Sequence, residues 1–195
     1  MKILIIGATG TIGSAVVKAL NKKYEVISAS RNNDVSVDIG DPDSIVSMYR
    51  SQPKLDAVIS ITGNATFGSL DNLSDDDFTL GLENKLMGQV NLVRFGRKHL
   101  NDGGSFTLTS GILALRPQAS SVMLTMINSA VEGFVRSAAL GLPRGLRLNA
   151  VSPPMVKENA KKLGWGNGGV PSVEVALDYV KAVEGAMNGR VLASF

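Results

Sequence analysis

"KILIIGATGTIG" (Lys2–Gly13) decides the fold of this chain. Its first half is a run of Ile and Leu with no polar alternation, the pattern of a strand buried on both faces. Its second half carries Gly7, Gly10 and Gly13 at G-x-x-G-x-x-G spacing. "TIGSAVVKALNKK" then continues with apolar residues at helical intervals. Strand, glycine turn and helix in that order make a cradle where backbone N–H groups at a helix N-terminus meet a pyrophosphate. On that reading Gly7, Thr9, Gly10, Thr11, Ile12 and Gly13 surround a dinucleotide. An ordinary glycine turn is the alternative.

Working outward, apolar runs alternate with helical patterns to the end of the chain. Further strands are expected at "YEVISAS" (Tyr24–Ser30), "VSVDI" (Val35–Ile39), "LDAVISITG", "GGSFTLTSG", "GLRLNAVSPP" and "GRVLASF". Asp41 followed by Pro42 marks a helix start, with an N-cap and a proline at the first helical position. "LSDDDFTLGLENKLMGQVNLVRFGRKHL" reads as one long helix capped by Ser74, with Asp75, Asp76 and Asp77 favoured by the dipole in its first turn. "SSVMLTMINSAVEGFVRSAAL" (Ser120–Leu140) is a second long helix, and "PSVEVALDYVKAVEGAMN" the last. Ser152 to Val170, containing "GWGNGG", is the longest irregular segment and is expected to be mobile. This alternation implies right-handed crossovers and a doubly wound parallel α/β sheet, with ligands at the carboxyl ends of its strands.

A length of 195 residues fits a single domain spanning the chain, and 44% hydrophobic with 19% charged residues is a globular balance. The net charge of +3 is spread without a basic stripe, which argues against a nucleic-acid partner. With no cysteine and a single histidine, disulfides and thiolate metal sites are excluded, no metal is expected, and a reducing, cytoplasmic setting is implied. No apolar run is long enough for a membrane span. "MKILIIGATG" superficially resembles a signal peptide, but its glycines break the apolar run early.

The second strand ends in "SASR". An acid at this place would bind the ribose 2′-hydroxyl; Ser30 and Arg31 instead suit a 2′-phosphate, so NADP(H) is favoured over NAD(H). A solvated surface arginine is the alternative. Asp38 is a candidate for the adenine amino group, or else a capping aspartate.

These pieces, with "VDIGD", "ENKLMGQVNL", "SAVEGFVRSAALGL" and "LRLNAVSPPMV", resemble the short-chain dehydrogenase/reductases over nearly the whole chain. The resemblance implies a Rossmann-like, seven-stranded sheet in the order 3-2-1-4-5-6-7 with helices on both faces. It implies an active-site Asn, matched by Asn84, and a Ser, matched by Ser110. It also implies cofactor contacts at Pro153 and Val156 after strand six, and a homodimer, or a tetramer built on it, through the two long helices. Small residues there (Ala130, Gly133, Ala138, Ala139) allow close approach. Two departures are local: Thr11 stands where the commonest loop has glycine, and Pro154 where glycine is usual.

The larger departure concerns chemistry. Aligning "NSAVEGF" with the family puts Leu124 on the catalytic Tyr and Asn128 on the Lys of the Tyr-x-x-x-Lys pair; a shift by one gives Met123 and Ile127. No tyrosine lies between Tyr49 and Tyr179. Asn128 keeps a hydrogen-bonding role toward the ribose without the charge. Ser110 and Thr125 have hydroxyls too weakly acidic to substitute. Lys85, next to Asn84, is expected to face solvent; His99, to meet a helix C-terminus; Tyr179, to pack in the core. The sequence thus implies an NADP(H)-binding oxidoreductase with a non-standard active site and no ordinary carbonyl reduction. The alternative is a catalytically silent NADP(H)-binding sensor or scaffold.

Overall fold

A computed structural model describes residues 1–193. Seven parallel strands pair in the order β3-β2-β1-β4-β5-β6-β7, as the resemblance implied. They are β1 (Lys2–Ile6), β2 (Glu25–Ser30), β3 (Val35–Ser36), β4 (Leu55–Ser60), β5 (Leu100–Thr109), β6 (Arg147–Val151) and β7 (Val191–Leu192). The expected last strand runs on to Ser194 and Phe195, which lie outside the described residues.

Strand periodicity sends alternate β1 side chains to two cores. Leu4 and Ile6 join Ile45 and Tyr49 of α2 (Pro42–Arg50), Leu92 of α4 (Gly88–Gly96) and Val131 and Val135 of α5 (Val122–Ala138). Ile3 and Ile5 join Val16 and Leu20 of α1 (Thr11–Leu20) with Val175 and Tyr179 of α7 (Ser172–Glu184). Burying each of these aliphatic chains contributes about 2 kcal/mol, which is why a continuous apolar run, and not an alternating one, marks the central strand.

Several local expectations hold. Asp41 caps α2, accepting from the Asp43 N–H at 2.9 Å. Ser74 and Asp77 form a reciprocal capping box at the start of α3 (Asp75–Leu80). Others need correction. The long helix is not uniform: Gly81–Met87 is wound as a π-helix, and the helix stops at Gly96, so that Leu100 already opens β5. His99 is not a cation at the helix end. Its ring stacks on Tyr49 at 5.3 Å, and burial, then Lys54 and Arg50, push its pKa down and favour the neutral form. Val35–Ile39 pairs only as far as Ser36, because Asp38 turns away: its carboxylate accepts the Gly40 N–H and its own N–H donates to the Ser44 hydroxyl.

The segment Ser152–Val170 is more ordered than its composition suggests. It contains α6 (Lys157–Lys162) and closes with a parallel bridge between Val156 and Val170. Glu158 ties α6 to α7, accepting from the Ser172 N–H at 3.0 Å and its hydroxyl at 2.8 Å.

Candidate active site

The residues following β1, β2, β4, β5 and β6 open onto one cleft with two cavities. Ile61 and Thr62, just past β4, line both. The first cavity, of about 260 Å³, is lined by Gly7, Thr9, Gly10, Ser30, Arg31, Asp38 and Asn84. The second, of about 720 Å³, holds Ile12, Ser110, Leu124, Asn128, Pro153 and Val156. The sequence-predicted residues are therefore brought together along one path, apart from two. Gly13 is buried beneath the loop, and the Thr11 hydroxyl accepts a hydrogen bond from Lys162 at 3.2 Å.

The glycines shape the first cavity. Gly7 has φ +84°, and a Cβ there would lie 2.3 Å from the Ile61 carbonyl oxygen. A Cβ on Gly13 would lie 2.0 Å from the Gly7 carbonyl oxygen. No side chain caps α1, so its first-turn N–H groups remain available to an anion. At the end of β2 the Ser30 hydroxyl accepts weakly from the Asn32 N–H at 3.3 Å, and Arg31 is exposed. Asp38 lines the cavity, and its carboxylate accepts the Gly40 N–H in a turn; the helix cap that follows is Asp41.

Asn84 and Ser110, matched to one catalytic set by resemblance, line different cavities. Asn84 accepts the Asn64 N–H at 2.8 Å in the first. Ser110 lies in the second, where its hydroxyl donates to Glu132 at 2.7 Å and accepts from the Gly111 N–H. Glu132 is itself buried and held at its other oxygen by Arg136 at 2.9 Å. The Ser110 proton therefore points behind the cavity wall.

Leu124 and Asn128 both face the second cavity, one helical turn apart on α5. Asn128 Oδ1 is buried and has no hydrogen-bond partner. A buried amide oxygen without a partner costs about 1–3 kcal/mol unless a ligand supplies the donor.

Lys85 corrects the sequence reading most. Neighbouring residues do point in different directions, but in the π-wound segment both directions lead inward: Asn84 to the first cavity, Lys85 to the second. Lys85 is 9% exposed, and burial pushes its pKa down to about 8. Gln89 anchors this stretch to β5, donating to the carbonyls of Lys85 and Thr109 and accepting the Thr109 N–H. The buried Tyr179 hydroxyl reaches Thr109 Oγ1 at 2.8 Å and does not line the cavity. Glu132 and Gln89 carried no sequence signal beyond helical spacing; Lys85 was visible as a charge inside "ENKLMGQVNL".

The chain belongs to the short-chain dehydrogenase/reductase family. Residues 6–170 match the family model described as Enoyl-(Acyl carrier protein) reductase. Among curated relatives, versicolorin reductase stcU of Emericella nidulans is 25% identical, the alignment covering 79% of this chain and 68% of that protein. The short-chain dehydrogenase/reductase ucsE of Acremonium is 26% identical over 80% and 72%. The crystal structure of the protein lin1944 from Listeria innocua superposes with a TM-score of 0.96 at 46% identity over the full length of both chains. A small-chain dehydrogenase in complex with NADPH gives 0.90 at 25% identity, covering 98% of this chain and 95% of that one.

Proposed function

We propose that this chain is an NADP(H)-dependent reductase, one dinucleotide-binding domain acting on an apolar carbonyl or enone compound in the cytoplasm. The observation that carries this reading is the continuity of the cleft. Ile61 and Thr62 wall both cavities, so one extended dinucleotide reaches from Arg31 to Asn128. The residues present fit such a group. Gly7 and Gly13 allow the tight turn that a pyrophosphate-binding loop needs, since a Cβ at either would strike backbone, and Asn128 offers an unpartnered acceptor suited to a ribose hydroxyl. Ser30 and Arg31 would hold the 2′-phosphate. A relative of similar fold was solved with NADPH, which supports the same choice here.

When bound, the nicotinamide supplies a hydride. The chain's part is then to exclude water and orient an acceptor. Leu124, Ile112, Leu113, Met155 and Val156 make the second cavity largely apolar, which favours an uncharged substrate.

The assembly we favour is a homodimer through the helical stretch running from α3 to α4 and through α5, or a tetramer built on it. Leu80, Met87 and Met126 are exposed there, and nothing stands within 4 Å of where a Gly133 Cβ would be. Light scattering at micromolar concentration should give at least twice the chain mass; Gly133→Arg should shift it toward monomer.

Fluorescence titration with NADPH and NADH, followed by NADPH consumption against a panel of ketones, enones and quinones, tests the reading. Tight NADPH binding without turnover of any compound would favour the silent sensor instead.

A further inference from the structure

We propose that Lys85, on the π-helical segment, is the proton donor of this site, taking the role left empty by Leu124 in the same cavity. The inference rests on the reductase reading above and adds the acid that the sequence lacked.

Four observations carry it. Lys85 is the one ionisable side chain among the residues lining the second cavity; no acid, histidine or tyrosine shares that wall. Its stem is placed by packing, not by chance. A Cβ on Gly63, φ +130°, would lie 2.8–3.0 Å from Lys85 Cα, Cβ and Cγ, so Gly63 is the gap through which the side chain runs inward from past β4. Gln89, clamped to Thr109, fixes this face of the helix toward the end of β5, where Ser110 begins the cavity wall. Finally, no ion pair with Lys85 occurs among the described residues. Glu132 of the neighbouring α5 is engaged with Ser110 and Arg136, and Glu83, on Lys85's own segment, is exposed. From α7, Tyr179 is committed to Thr109.

A buried charge without a counterion is costly to keep, and its retention in the cavity points to use. With hydride supplied by a bound nicotinamide, the carbonyl carbon would gain its new C–H bond. The C=O π pair moves to oxygen, and oxygen takes a proton from Lys85 Nζ. The amine left behind is reprotonated from solvent. Burial has already moved Lys85 to a pKa of about 8, so at pH 7 it is still mostly protonated and is a far better donor than an ordinary lysine.

The test compares the wild-type chain with two variants of one position, Lys85→Met and Lys85→Arg. Expected is a loss of about 10²- to 10⁴-fold in kcat for Lys85→Met with NADPH affinity little changed. Arginine should give no rescue, because it keeps the charge but does not release a proton near neutral pH. Wild-type kcat/KM should fall as pH rises past about 8. A second readout needs no cofactor. Lysine's folded pKa lies below its unfolded value of 10.5, so the destabilising charge is at full strength below pH 8. It fades as pH rises from 8 to 10.5. Lys85→Met should therefore melt at a higher temperature than wild type at pH 7, with the difference shrinking across that window. Retained turnover in Lys85→Met, rescue by arginine, restoration of activity by saturating NADPH alone, or a pH-independent melting difference would each overturn the proposal. If the wild type reduces nothing, the reductase reading fails first and this one with it; if only the variant result disagrees, the donor role alone is lost.

Discussion

The two ends of the cleft are built from different kinds of information. The proposed adenosine end is made by backbone: a turn in which Gly7 and Gly13 must lack side chains, an uncapped helix start, and strand ends carrying Ser30 and Arg31. The motif at each of its corners is short and contiguous in sequence, so each can be read locally. The proposed nicotinamide end is made by side chains arriving from four separate stretches: Lys85 beyond β4, Ser110 after β5, Leu124 and Asn128 on α5, and Pro153 after β6. Its chemistry depends on which way each helix is turned, and a spacing pattern does not encode that.

The sharpest way to break the comparison is at the backbone end. Gly7→Ala should abolish dinucleotide binding and destabilise the protein by roughly 3 kcal/mol or more. The reason is that the new Cβ meets the Ile61 carbonyl at 2.3 Å in a backbone conformation that L residues rarely adopt. Thermal melting and NADPH titration measure both effects. Wild-type stability with unchanged affinity would mean that this turn is not the rigid cradle described.

A smaller effect should separate the two cofactors. Arg31 is exposed, and its contribution would come from a charge-assisted contact to a phosphate that only NADPH carries. Arg31→Ala should therefore weaken NADPH by about 10- to 100-fold, leave NADH unchanged, and show less effect at high salt. Equal losses for both cofactors would remove the phosphate role from "SASR".

These two variants also mark where the sequence was legible. The caps at Asp41 and Ser74 and the glycine turn follow from local rules of capping and φ, whereas the strand order was legible only through the family resemblance. The orientation of Leu124 and Asn128 was also readable, since residues one turn apart share a helix face. The reading of Lys85 failed for a physical reason. It assumed an α-helix of uniform pitch with one inward face, and the segment is π-wound and sandwiched between two cavities. A π-helical turn has no strong composition signal, and it tends to occur where function needs an altered register. Glu132 was hidden too: helical spacing alone does not tell that Ser110 and Arg136 satisfy its carboxylate in the interior.

The mildest perturbation lies at the rim of the side-chain end. Phe67, after β4, and Trp165, beyond α6, meet edge-to-face with centroids 5.9 Å apart, and both line the second cavity. Each is about half exposed, at 48% and 56%. Two large aromatic rings left at a cavity mouth are better explained by contact with an apolar substrate than by the core, which they do not join. An aromatic pair of this geometry contributes about 0.5–1.5 kcal/mol beyond its area, so its removal should be felt weakly. Trp165→Ala should raise KM for bulky apolar carbonyls by roughly three- to tenfold. It should leave kcat and NADPH affinity near wild type, because Trp165 lines only the larger cavity and no hydrogen bond ties it to Lys85 or Asn128. Small ketones, which would not reach the rim, should show no change. A uniform fall in kcat for large and small substrates alike would place Trp165 in the closure of the site over the reacting atoms. The second cavity would then be gated, and its apolar rim would act on catalysis instead of selecting the substrate.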